Sequence, residues 1–363
     1  MVCLARVDTT ARSLGMHGAM RLLVGLVLAA LVFGVAGCGS EEPTEPAPAA
    51  DEPAEPASGE PVGPVWQEQV SGVTDRLYDV VFVDPDTGWA AGGDDRGVIL
   101  GTTDGGQTWT EIYEHDRYAF NAVHFVDAQT GWAAYQGDGE NDIVKTTDGG
   151  QSWTKQTSGS IRSANDVFFA DADHGWIATA AGQIWATADG GDSWVQQESG
   201  VEGLTSHLYD LHFVDAQTGW AVGWDGDGAI VATTDGGATW TRQDPTVEFL
   251  KAIFFADAQN GWASGNDGVV VTTDGGRSWS AQDAGRRTLQ DVFFTDAQNG
   301  WVVGAGSIVL STVDGGATWD QEQDGGAGTS ILYGAHFVDA ETGWVVGADG
   351  VILHFGIPAG ADD

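Results

Sequence analysis

The sequence predicts an all-β chain folded as a seven-bladed β-propeller of four-stranded antiparallel blades, the last closed by the N-terminal strand, and three observations carry that prediction. A phrase F-x-D-x-x-x-G-W occurs seven times, with tryptophans at Trp89, Trp132, Trp176, Trp220, Trp262, Trp301 and Trp344, in steps of 43, 44, 44, 42, 39 and 43 residues. A second phrase, TTDGGQTW from Thr102 to Trp109, recurs as TTDGGQSW ending at Trp153, TADGGDSW at Trp194, TTDGGATW at Trp240, TTDGGRSW at Trp279 and TVDGGATW at Trp319. Between these phrases, short runs rich in Val, Ile, Phe and Trp alternate with Gly- and Asp-bearing turns, which is strand chemistry. Self-similarity at such a period marks a repeat architecture, and four strands in roughly 42 residues make a propeller blade.

The 363 residues begin with a segment outside the repeat. Met20 to Cys38 has a basic start at Arg21, an apolar run from Leu22 to Val35 and small residues before a cysteine. It is too short for a stable membrane span and reads as a secretory signal over residues 1–37, with translation starting at Met1, Met16 or Met20. Val35-Ala36-Gly37-Cys38 resembles the bacterial lipobox, which implies cleavage before Cys38 and lipidation of its thiol. Gly39 rather than Asp after that cysteine, by resemblance to enterobacterial lipoproteins, favours the outer membrane over the inner. Residues 38–64 are rich in Pro, Glu and Ala and hold seven of the ten prolines, so they cannot bury a core and serve as a tether.

The propeller is expected over residues 65–356, followed by a short acidic tail, 357–363. The first unit has strands around Leu77 to Asp84, Gly88 to Gly92, Val98 to Asp104 and Thr108 to Tyr113. Six units are complete, while the seventh, Leu332 to Phe355, stops after its third strand. Val65 to Gly72 stands before the first unit at the spacing of a fourth strand, with Trp66 where each box tryptophan stands. A ring closed by strands from both ends removes two exposed sheet edges.

In the DGG turn the glycines supply positive φ, and the aspartate accepts backbone N–H bonds within its own hairpin. A structural role is therefore expected for Asp104, Asp148, Asp189, Asp235, Asp274 and Asp314. The aspartates of the other phrase, Asp84, Asp127, Asp171, Asp215, Asp257, Asp296 and Asp339, are read as caps of the first turn of each blade, with calcium binding as the weaker alternative. His124, His212 and His336 share one register, filled elsewhere by Val81, Phe168, Phe254 and Phe293. Packing is favoured over a metal site there.

The DGG phrase resembles the Asp box, or BNR repeat. The combined unit resembles the photosystem II stability and assembly factor family across residues 66–355. That resemblance implies a seven-bladed scaffold that binds a client during membrane-complex assembly without catalysis. Photosynthetic members carry an arginine-rich client patch; here only Arg286 and Arg287 cluster among the eight arginines after the leader. Sialidases and some glycosidases also use Asp-box propellers, so an enzyme is the alternative. The early Arg-Ile-Pro motif of sialidases is absent, and a glycosidase needs two carboxylates at a set separation.

Acids outnumber bases 53 to 14, giving a net charge of -39, which repels phosphate backbones and excludes nucleic acid as a partner. Neither cysteine, Cys3 or Cys38, lies in the repeat, so no disulfide framework supports the fold. No cofactor is expected, and the protein is read as a monomer held at the membrane only by its lipid. Strand order puts the Asp boxes and the D-x-x-x-G turns on one uniform rim. The other rim varies: DDRG (Asp94 to Gly97), YQGDGEND (Tyr135 to Asp142) and WDGDG (Trp224 to Gly228) contrast with AGS (Ala305 to Ser307). Variable loops on a rigid scaffold carry recognition. The candidate binding residues are Tyr78, Asn121, Asn165, Tyr209, Lys251, Gln290 and Tyr333, encircling the channel mouth, with Trp224 beside them. The ligand is a protein or a glycan; a solvated funnel lining is the plain alternative.

Overall fold

A computed structural model of the protein describes residues 63–358 apart from 138–141, 157–160, 202–206, 227, 246, 286, 323–327 and 329. The signal peptide, Cys38, most of the tether, most of the tail, Arg286 and parts of two variable loops lie outside the described residues. The described residues fall in one compact unit. No helix among the described residues is long and apolar enough to cross a membrane.

Seven antiparallel sheets of four strands are arranged as blades, each running from an inner to an outer strand. The inner strands are Leu77–Phe82, Phe120–Phe125, Ala164–Phe169, His207–Phe213, Leu250–Phe255, Leu289–Phe294 and Leu332–Asp339. Blade seven is composite: the strand Val65–Gln69 pairs with Ile352–Gly356, with Trp66 opposite Phe355. Outer strands begin slightly later than the sequence suggests, that of blade one running from Thr110 to His115, because Thr108 and Trp109 belong to the box turn.

The seams between blades follow one rule. The second-strand tryptophan of each blade stacks on the last phenylalanine of the next inner strand, as Trp89 does on Phe125 with centroids 3.5 Å apart and planes 3° apart. The same stack joins Trp132 to Phe169, Trp176 to Phe213, Trp220 to Phe255, Trp262 to Phe294, Trp301 to Phe337 and Trp344 to Phe82. A box tryptophan then meets that phenylalanine edge-on, Trp153 against Phe125 at 5.9 Å and 90°. The glycine before each second-strand tryptophan is required by this packing, since a Cβ at Gly88 would stand 2.5 Å from the Phe82 ring. Burying such aromatic surface is the dominant favourable contribution to the fold.

Candidate functional site: the channel and its two rims

The uniform rim is built by the Asp boxes. In blade one, Asp104 accepts the Thr108 N–H at 2.8 Å and the Thr108 hydroxyl at 2.6 Å, and the Thr102 hydroxyl donates to it at 2.8 Å. The backbone turns through Gly105 and Gly106 at φ 68° and 80°, where side chains are disfavoured. The same bonds recur at Asp148, Asp189, Asp235, Asp274 and Asp314. These hydrogen bonds favour the ionised form; the Ser278 hydroxyl, first among them, holds Asp274 down at about 2. The N–H of the first glycine in each box also binds the first turn of its own blade, as Gly105 does Asp86 O at 2.9 Å, which fixes both turns on one rim. Within that first turn Asp84 caps the N–H groups of Asp86 and Thr87 at 2.9 and 2.7 Å. Asp127, Asp171, Asp215, Asp257 and Asp296 do the same, and Asp339 accepts the Glu341 N–H at 2.8 Å.

One feature of the seams is absent from the sequence reading. At three seams the glutamine three residues after the outer-strand tryptophan reaches forward to the next box: the Gln197 amide donates to Gly236 O at 3.0 Å and accepts the Trp240 indole N–H at 3.1 Å. Gln69 and Gln243 make the same pair of bonds, to Gly105 with Trp109 and to Gly275 with Trp279. A W-x-x-Q spacing is the signal that would have found them.

At the opposite end, Tyr78, Asn121, Asn165, Tyr209, Lys251, Gln290 and Tyr333 all line one shallow cavity of about 160 Å³ at the channel mouth. They are chained to one another and to adjoining strands. Tyr333 and Tyr78 pack with centroids 5.1 Å apart, Asn121 donates to Ala164 O at 2.9 Å, Asn165 to Leu208 O at 2.7 Å, and Lys251 to the Gln290 amide oxygen at 2.8 Å. Trp224 is not in this ring; it stands outside it, 6.3 Å from Phe249, which packs on Tyr209 at 5.5 Å. Three arginines on this rim are bound to the chain's own acids: Arg76 to Asp94 at 3.3 Å, Arg96 to Glu111 at 2.8 Å and Arg242 to Asp225 at 2.5 Å.

Deeper, a cavity of about 300 Å³ is lined by a second ring that the sequence reading passed over: Asp79, Asp166, Asp210 and Asp291. Below these, the three register histidines alternate with aromatic rings, Phe168 lying 4.6 Å from His124 and 5.1 Å from His212. His124 Nε2 lies 2.8 Å from Phe169 O, and burial holds the imidazoles neutral, His124 down at about 4 and His212 and His336 at about 3. Their role is packing and wall-building. Among the described residues no group of three or more His, Cys, Asp or Glu is placed to hold a metal ion.

Residues 61–162, 198–287 and 282–356, well over half the chain, match the family described as photosynthesis system II assembly factor YCF48. No functionally curated protein matches the sequence. Among solved structures, "YCF48 bound to D1 peptide" is 23% identical with a TM-score of 0.66, covering 81% of this chain and 97% of that one. "YCF48 from Cyanidioschyzon merolae" is 22% identical with a TM-score of 0.64, covering 80% and 98%. The WD40 propeller domain of Doa1, at 13% identity, reaches a TM-score of 0.63 over 81% and 98%. At these identities the structural likeness establishes the fold alone.

Proposed function

The chain belongs to the photosynthesis system II assembly factor YCF48 family, and from that membership we propose that it is a non-catalytic scaffold, lipid-anchored through Cys38 in the cell envelope, that captures a protein partner on the variable rim. The observation that carries this reading is the contrast between the rims. One repeats the same Asp box six times, whereas the other gathers seven side chains of four kinds around the channel mouth. Recognition needs chemical individuality, and only the second rim has it. A relative of the same fold is described as bound to a peptide, which supports a protein rather than a glycan as the ligand class.

The reading favours a client other than a photosystem subunit, because only Arg286 and Arg287 cluster in sequence among the arginines after the leader. Three of the rim arginines, Arg76, Arg96 and Arg242, are paired with Asp94, Glu111 and Asp225, so these three are not free to hold an acidic segment. The enzyme alternative is disfavoured by the channel carboxyls. Asp79, Asp166, Asp210 and Asp291 are each occupied by backbone N–H groups of their own and the next blade rather than presented to a substrate as acid or nucleophile.

A photo-crosslinking amino acid at Tyr209 or Tyr333, compared in living cells with the same group at Gln107 or Gln151 on the uniform rim, tests the reading. One common protein adduct from the first pair alone is expected. An adduct from the second pair alone would move the site to the Asp-box rim.

A further inference from the structure

Asp79, Asp166, Asp210 and Asp291 stand where the two cavities meet, lining both the shallow one at the mouth and the deeper one beneath it. Each carboxyl is pinned by two backbone N–H groups, one on each oxygen. Across the seam the donors are Val123 for Asp79, Leu211 for Asp166, Ile253 for Asp210 and Ala335 for Asp291, at 2.6 to 3.0 Å. The other oxygen accepts the N–H of the following residue, Val80, Val167, Leu211 or Val292. Each oxygen thus keeps a second lone pair, and donors of this kind favour the ionised carboxylate. Burial opposes ionisation, raising Asp79 and Asp210 well above the ordinary carboxyl range and Asp291 to about 7. A positive charge brought into the ring resolves that conflict.

The chain itself supplies little of that charge. Among the described residues Lys251 is the one Lys or Arg lining either cavity, and its ammonium is tied to the Gln290 amide at 2.8 Å. Beneath the ring the wall is aromatic. His124, Phe168, His212, Phe254, Phe293 and His336 follow one another with centroids 4.6 to 5.1 Å apart. Burial keeps the three imidazoles neutral, so they offer the carboxyls no counter-charge. The buried Nδ1 of His336 has no hydrogen-bond partner among the described residues. Aromatic faces attract a cation, and a guanidinium, planar and weakly hydrated, both stacks on them and offers five N–H donors to carboxylates.

Resting on the assignment of the variable rim as the capture face, we propose that the protein partner inserts an arginine side chain through the mouth, its guanidinium bound by the spare lone pairs of the aspartate ring above the aromatic wall. The mouth residues guide that side chain directly to the ring, since Tyr78, Asn165, Tyr209 and Gln290 each precede one of the four aspartates and line the same mouth cavity. An ammonium meets the charge without the planar fork, and an acidic side chain meets only repulsion from four carboxyls. The ring therefore selects against acidic segments as well as for an arginine.

N-acetylarginine amide titrated into the full chain and followed by amide NMR tests this, with N-acetylcitrulline amide as an uncharged control of nearly the same shape. The arginine compound is expected to shift the Val123, Leu211, Ile253 and Ala335 amides and to bind at least about tenfold more tightly than the citrulline compound. Asp210→Asn, which keeps an oxygen acceptor and removes the charge, should weaken arginine binding by at least about tenfold, while Asp192→Asn on the uniform rim should leave it unchanged. Equal binding of the two compounds to the wild type would overturn the inference whether or not the Asp210 variant folds, and so would arginine binding unaltered in a folded Asp210→Asn variant. Partner adducts at Tyr209 or Tyr333 without an arginine preference would leave the capture face standing and remove the arginine from it. An arginine preference with adducts on the uniform rim alone would leave the channel site standing and overturn its role in capture.

Discussion

Trp66, from the first strand of the propeller, sits edge-on to Phe337 of the last blade, ring centroids 6.0 Å apart and planes at 88°. The geometry is that of a box tryptophan on its phenylalanine in the unbroken blades, such as Trp109 on Phe82 at 5.9 Å and 89°. The ring is thus closed by the same contact that builds it. Trp66 also shares a buried cluster with Trp301, Leu332, Val345 and Leu353. Trp66→Ala should cost about 3–5 kcal/mol in denaturant unfolding. Deleting residues 62–72 should lower the melting temperature and promote aggregation, while deleting 41–60 should do neither. Equal stability of the two truncations would contradict the closure.

The glutamine bridges give a second, finer expectation. Gln197→Ala removes a donor from Gly236 O and an acceptor from the Trp240 indole, and should cost about 1–2 kcal/mol. Gln282 is the counterpart that faces its own strand, donating to Ser280 Oγ at 3.4 Å. Gln282→Ala should therefore be nearly neutral in the same urea titration. Similar losses at both sites would mean that the bridge across the seam contributes nothing special.

The Asp boxes set the acid limit. Their hydroxyl and N–H donors depress the carboxyls, Asp274 to about 2, so their stabilisation is present above the unfolded value near ~3.9 and is lost as pH falls through the folded one. The melting temperature should fall between about pH 4 and pH 2. A flat curve in that window would show that the boxes do not hold the blades in the ionised form.

Anchoring is tested independently of the fold. Cys38→Ser should leave the melting temperature unchanged and move the protein from the membrane pellet to the soluble fraction. Retention of the variant in the pellet after a salt wash would remove the lipid anchor from the account.

The architecture was legible because its signals are local and repeated: a turn phrase, a capped first turn and four short apolar runs, recurring at even spacing. The mouth ring was legible for the same reason, as one position counted from each inner-strand phenylalanine. The aspartates beneath it were not. Leu77 and Val80 are both buried in the blade while Tyr78 and Asp79 both line the channel, an order that strict alternation along a strand forbids. A register shift between Leu77 and Asp79 produces it, and a bulge of this kind leaves little trace in composition. The glutamine bridges escaped because their partners lie on the following blade, 39 to 43 residues away for Gln197, where only three-dimensional adjacency joins them.

The proposed function puts capture of a protein partner on the variable rim and assigns the propeller no catalysis. The most direct measurement is the dissociation constant of the cross-linked partner, once isolated, for the wild type and for the variant with Tyr78→Ala, Tyr209→Ala, Trp224→Ala and Tyr333→Ala. The expected result is a loss of affinity greater than about tenfold, above about 1.4 kcal/mol, with the fold intact and no hydrolysis of sialosides or β-glucans by the wild type. Unchanged affinity in that variant, or turnover abolished by one Asp or Glu substitution on the rim, would contradict it.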